Sequence, residues 1–272
     1  MDVPFTLRWT TLLDQAVTRP GLVLEAYSRF HGYSIGNQIA ALSQCLVRGL
    51  EPGPIATFPK WKELGRMVKR GEKAIWLCMP ITVTKPTESK DSAEEELHST
   101  YFVWKPRWFV LSQTEGDPYE LEPIPSWSIQ GALERLQITD ASFEELDGNI
   151  QGYAKGRTVA VSPIAQLRWK TLFHEIGHVL LGHTAEGEMR EGQELPRSLR
   201  EAEAESVALL CSDALGLPGS EYCRGYIQHW YGTGNPIPEA SARHIFGVAD
   251  AILKAGREGK LRESSFAKGG AV

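Results

Sequence analysis

Cysteine is scarce. The 272 residues hold four, Cys45, Cys78, Cys211 and Cys223, with no CxxC pair and no zinc-ribbon spacing. This argues against a disulfide-stapled secreted scaffold and a cysteine-held metal, and the thiols are expected to be reduced and mostly buried, as in a cytoplasmic protein. Long apolar runs are also missing: nothing approaches the roughly 20 residues that span a bilayer. Met1-Asp2-Val3-Pro4 opens no basic-then-apolar leader, so no membrane partner is expected. Nor is there a basic excess, since 29 Lys and Arg face 34 Asp and Glu for a net charge of −5. Binding to nucleic acid would therefore need a local patch.

What is present is Thr171-Leu172-Phe173-His174-Glu175-Ile176-Gly177-His178, an HExxH pattern. A helix advances about 100° per residue, so His174 and His178 share one face and can hold a single ion between their rings. Glu175 lies beside the ion without being a ligand, free to take a proton from water. A third ligand is available in Arg200-Glu201-Ala202-Glu203-Ala204-Glu205. Glu201 and Glu205, four apart, share a face, so one can bind the ion while the other orients a ligand histidine. Glu201 is favoured as the ligand, with Glu205 the alternative and Glu203 third. Ser198-x-x-Glu201 is also a capping-box pattern, a competing structural role for Glu201. His183 falls five residues after His178, out of the metzincin register, and is read as structural or as a support to a ligand. Two histidines, one carboxylate and an open position define a catalytic Zn2+ site of the gluzincin kind, and zinc brings the pKa of its water to about 7. The strand at residues 158–161 is the expected edge for pairing an extended peptide.

The chain reads as α+β in two domains. The first, residues 1–125 with a linker over 113–125 rich in proline, opens with two short helices before Phe30. An apolar helix follows, with Asn37 and Gln38 in its first turn as candidate base or phosphate contacts. From Arg48 to Lys73 there are seven basic residues against three acidic, a local balance of +4. Lys62, Arg66, Lys69, Arg70 and Lys73, interleaved with Phe58, Trp61 and Trp76, combine phosphate neutralisation with flat stacking surfaces, the ingredients of single-strand binding. Strands are expected at 74–83 and 101–111, around a mobile acidic loop at 84–100. The second domain, residues 126–255, should carry a helix at 127–136 and strands at 142–146, 151–154 and 158–161. The HExxH helix should start at Ser162-Pro163 and stop at Gly182, with further helices at 198–215 and 240–253 and a flexible tail over 256–272.

Three stretches carry a family resemblance. Tyr33-Ser34-Ile35-Gly36-Asn37-Gln38, and Phe58-Pro59-Lys60-Trp61-Lys62-Glu63-Leu64-Gly65-Arg66 leading into Val68-Lys69-Arg70-Gly71-Glu72-Lys73, resemble the N-terminal single-stranded-DNA-binding domain of ArdC-type plasmid antirestriction proteins. His174 to His178 with Glu201 to Glu205 resemble that family's metallopeptidase-like domain, which is also similar to the IrrE and ImmA peptidases. Tyr226-Ile227-Gln228-His229-Trp230 is similar to a Tyr-Ile-x-x-Trp element after the second helix. The resemblance implies a zincin-like second domain, single-stranded DNA as partner, and protection of incoming plasmid DNA from restriction, with a protein substrate or restriction component as a further partner. Where the family is expected to carry adjacent glutamates, this chain has Arg200-Glu201 and an additional Glu203, which leaves the third ligand open. The alternatives are a non-enzymatic DNA-protecting protein with a structural metal, and an IrrE-like regulator acting on a repressor.

Overall fold

The structure is a computed structural model that describes residues 7–85, 97–144, 150–184, 196–232, 234 and 236–258. In chain order the elements are α1 (Trp9–Thr18), α2 (Leu22–Phe30), α3 (Ile35–Arg48), β1 (Ile55–Thr57), α4 (Phe58–Glu63), β2 (Arg66–Val68), β3 (Ile75–Lys85) and β4 (Leu97–Val110). A 3-10 turn (Leu111–Gln113) follows, then β5 (Thr114–Gly116), α5 (Ile129–Leu136), β6 (Thr139–Asp140), β7 (Gly152–Lys155) and β8 (Thr158–Val161). The chain continues through α6 (Arg168–Leu180), α7 (Arg197–Ala214), α8 (Ser220–Gly232) and α9 (Glu239–Ala255). Helices and sheets alternate irregularly, an α+β chain in two compact units. One is made of Met1–Leu7 and Ala40–Glu120, the other of Arg8–Ile39 and Leu121–Val272.

The first unit is built on the antiparallel sheet β1-β4-β3, with Ile55 opposite Val110 and Cys78 opposite Trp104, and a two-stranded β2-β5 pair. Ile55, Ile75, Leu77, Trp108 and Val110 turn inward to form its core with Leu42, Cys45 and Trp61. Two glutamines replace missing ladder bonds. Gln44 receives the Trp76 N–H at 2.9 Å and donates to the Trp76 carbonyl at 2.8 Å. Gln113, fully buried, accepts from the Val110 N–H and donates to Glu72 and to the Lys73 carbonyl. A buried amide that satisfies both its ends stabilises, whereas an unpaired one would cost about 1–3 kcal/mol.

The second unit is organised around α7, whose residues 202–214 are all buried. A helix enclosed on every side must be small or apolar nearly all round, and Ala202, Ala204, Val207, Ala208, Leu209 and Leu210 meet that requirement. Helices α2, α6, α8 and α9 pack on it, and α1 lies on α9. Its interior ion pair joins Asp213 to Arg224 at 2.7 Å. The small sheet has the order β6-β8-β7, with β6 parallel and β7 antiparallel to β8. No helix among the described residues is long and apolar enough to cross a membrane.

Several expectations change here. By contact, residues 8–39 group with the second unit rather than with the rest of the expected first domain of residues 1–125. The apolar stripes of α1 (Leu12, Leu13, Ala16, Val17) and α2 (Leu22, Val23, Ala26, Tyr27) are buried within that unit, and Glu239 of α9 receives the backbone N–H groups of Trp9 and Thr10. Ser162-Pro163 does not start the HExxH helix. It forms a turn closed by the Ala165 N–H on the Ser162 carbonyl, and α6 begins at Arg168. β8 is not an edge: it is flanked by β6 and β7, which are the outer strands. The expected strand at 142–146 falls partly outside the described residues, and 142–144 are not strand. Most of the expected acidic loop and of the tail also lies outside them. All four cysteines are buried.

Candidate metal centre

Helix α6 is fixed by its apolar face. Phe173 is fully buried, edge-on to Trp127 at 5.7 Å and tilted against Trp169 at 6.4 Å. The helix meets α7 closely because Gly177 has no side chain: a Cβ there would lie 3.4 Å from the Ala204 backbone. Helices separated by glycine and alanine bring their polar side chains within reach of each other. The result is a three-way meeting of His174 Nε2, His178 Nε2 and Glu201 Oε2, with separations of 3.0, 3.4 and 3.6 Å. Metal–ligand bonds of 2.0–2.1 Å in a tetrahedron place ligand atoms about 3.3 Å apart. The three atoms are therefore spaced as corners around one ion, and among the described residues this is the group able to hold a metal. The capping box does not form: α7 starts at Arg197 behind Pro196, no side chain among the described residues caps it, and Glu201 is turned to the histidines.

Around this triad the other two carboxylates divide the work. Glu205, 3% exposed, receives His174 Nδ1 at 2.8 Å and Lys170 Nζ at 2.8 Å. Glu203, 2% exposed, is 2.9 Å from His183 Nε2. Glu175 is buried without entering the triad; its side chain lies beside Gly152 of β7, where a Cβ would sit 3.2 Å from its Cγ. An open cleft of about 650 Å³ is lined by His174, Glu175, His178 and Glu201 together with Gln151 to Ala154, Lys170, Arg197 and Arg200.

The electrostatics follow from this crowding. Burial raises the Glu175 carboxyl above its ordinary pKa. Hydrogen bonds from His174 and His178 hold Glu201 well below the usual carboxylate range. Burial by itself would lower His174, but the Glu201 and Glu205 carboxylates outweigh it and push the imidazole up to about 9. Between the ordinary value of 6.5 and about 9, His174 is protonated in the folded metal-free chain and neutral when unfolded. Its contribution to stability is complete below 6.5 and is lost as pH rises through about 9. An ion needs the same nitrogen lone pair. Ion affinity should therefore climb with pH up to about 9, with close to one proton released per ion at neutral pH. Calorimetry in buffers of different ionisation heat reads this count; pH-independent binding with no proton release would contradict it.

The residues expected at DNA separate into two groups. Trp61 is 1% exposed, its Nε1 donating to the Phe109 carbonyl at 2.8 Å and its ring edge-on to Tyr119, so it has no free face for a base. Asn37 and Gln38 are buried at 6% and 1%, and Gln38 donates to the Tyr33 carbonyl within its own helix start. Arg66 spends its guanidinium on Thr114, Gly116 and Asp117, clamping β2 to β5. Lys62, Lys69, Arg70 and Lys73 are exposed, the last three on the turn between β2 and β3, and Phe58 is exposed nearby in sequence. Composition could not distinguish a core tryptophan from a stacking one. The sequence reading passed over Lys170, although its place four residues before His174 put it on the histidine face, and over the lining role of β7.

No curated protein matches the chain. Residues 8–107 match the family of the N-terminal domain of anti-restriction factor ArdC. The crystal structure of the antirestriction ArdC protein from R388 plasmid in metal-free form is 17% identical, with a TM-score of 0.50 over 91% of this chain and 94% of that one. Its Mn(II)-bound structure is 17% identical, with a TM-score of 0.53 over 91% and 97%. At this identity the likeness is one of fold. Residues 8–107 thus fall in the ArdC N-terminal domain family, and the fold of the chain is shared along nearly all of the R388 protein.

Proposed function

We propose that this chain is an antirestriction protein that binds single-stranded DNA through its first unit and hydrolyses peptide bonds at a zinc centre in its second, zincin-like unit. The observation that carries the reading is the tetrahedral spacing of His174, His178 and Glu201 with Glu175 beside them in an open cleft. A catalytic site of this kind keeps an open position, whereas a structural one closes all four. The name of the R388 relative supports the antirestriction role, and its Mn(II)-bound form supports a divalent ion.

A divalent ion in this triad would supply Lewis acidity to a water and to a carbonyl oxygen. The remaining work falls to the chain. Glu175, its pKa raised by burial, takes the proton from water and returns it to the leaving amine. Glu205 holds the His174 ring through Nδ1, which keeps Nε2 turned inward. The outer edge of β7, which no strand among the described residues pairs and whose residues line the cleft, is placed to hold an extended peptide by strand addition. For DNA, Lys69, Arg70 and Lys73 form the exposed cationic turn of the first unit, with Lys62 on α4.

Two measurements test the halves separately. Replacing Lys69, Arg70 and Lys73 together with alanine should weaken binding to single-stranded oligonucleotides and reduce the salt slope of log affinity by about 2, at about 0.7 per phosphate contact. An unchanged slope would remove this turn from the interface. For the metal centre, transfer of unmodified plasmid DNA into a restricting host is compared for wild type and Glu175→Gln. Protection that survives in a variant retaining metal and DNA binding would replace the peptidase with a non-enzymatic protective protein. Protection absent even in the wild type, with one repressor cleaved instead, would identify a regulator.

A further inference from the structure

His183 is drawn back to the metal helix by the way α6 ends. Gly182 has a φ of +81°, the left-handed conformation glycine adopts freely, and the His183 N–H closes on the His178 carbonyl at 2.9 Å. This is the bonding pattern of a Schellman stop. It sets the His183 ring 5.1 Å from that of His178, with their Nδ1 atoms 3.0 Å apart. On its far side His183 Nε2 meets Glu203 Oε2 at 2.9 Å, and the two side chains are only 5% and 3% exposed. Ser241 of α9 holds the same carboxylate.

The proton positions along this chain follow from one premise, which rests on the metal reading above. If His178 gives the lone pair of Nε2 to an ion, its neutral ring carries the proton on Nδ1. His183 Nδ1 must then accept, its own proton must lie on Nε2, and Glu203 receives that proton's hydrogen bond. Every donor faces an acceptor in one direction. We propose that Glu203 and His183 are positioning residues that lock the ring and tautomer of His178, as Glu205 does directly for His174. The two metal histidines thus each have a buried carboxylate anchor on α7, two residues apart. One acts in contact and the other through an interposed imidazole.

The test is the affinity of the full chain for Zn2+ and for Mn2+, by competition with a chelator, for wild type, His183→Leu, Glu203→Leu and Glu203→Gln. His183→Leu and Glu203→Leu should bind about 10–100-fold more weakly, the usual cost of losing a partner behind a metal histidine. Glu203→Gln, whose amide oxygen still accepts from His183, should remain close to wild type. A folded His183→Leu chain with wild-type affinity overturns the relay. Absence of binding by the wild type overturns the metal reading itself, and the relay with it. If the leucine variants do not fold, long-range 1H–15N correlation of the Zn2+-loaded wild type decides: His178 protonated at Nδ1 and His183 at Nε2 support the relay, and the opposite His183 tautomer overturns it.

Discussion

Glu175→Gln is expected to leave metal binding intact and to lower peptide hydrolysis by about 10²–10⁴-fold, the range ascribed to a positioned general base. That corresponds to about 3–5 kcal/mol of barrier. The separation of effects comes from geometry. Glu175 shares the cleft with the ligand atoms but takes no part in the triad of His174, His178 and Glu201. The amide fills the same volume beside Gly152, so the neighbouring β7 need not move. Only proton acceptance is lost. Cleavage of an unstructured protein, with the ion content measured on the same sample, checks both halves; equal rates for wild type and variant would take Glu175 out of the chemistry.

The second large effect separates two glutamates that the sequence could not. Glu201→Ala removes a corner of the triad and should weaken Zn2+ or Mn2+ binding beyond the 10–100-fold usual for an outer partner, while Glu205→Ala should fall within that range. Glu201 Oε2 stands 3.4 and 3.6 Å from the two Nε2 atoms, on the side an ion would share. Glu205 contacts His174 at Nδ1, the nitrogen turned away from it. Its removal also leaves the half-buried Lys170 without its anion, so Glu205→Ala should show the larger loss of thermal stability of the metal-free chain. Metal titration and thermal unfolding should rank the two variants in opposite orders. A larger loss of metal affinity in Glu205→Ala than in Glu201→Ala would return the third ligand to Glu205.

The elements around the site were read from local signals, and their errors have local reasons. Thr158 to Val161 is a strand as its apolar alternation requires, but alternation does not say whether a strand is central or at an edge, and β8 proved central. Ser162-Pro163 satisfies the chemistry of a helix start without being one, because a serine followed by proline suits a turn equally well. Ser198 and Glu201 match a capping box in sequence, yet the helix begins one residue earlier and the carboxylate goes to the histidines. For the basic stretch, charge was legible and burial was not. Lys69, Arg70 and Lys73 are exposed, while Trp61 disappears into the core and Arg66 is spent on β5.

By itself the sequence determined the pair His174 and His178 and the place of Glu175 between them, since four residues of helix put two side chains on one face in any fold. It also determined that a carboxylate from the following helix was within the choice of ligands. Which carboxylate faces the two histidine Nε2 atoms, and what Glu203, Glu205, Lys170 and His183 contact, was decided only by the crossing of α6 and α7 at Gly177 and Ala204. The physical reason is range. Helical periodicity is set by backbone bonds over a single turn, whereas ligand distances of 3.4 and 3.6 Å between two helices depend on how their side chains pack.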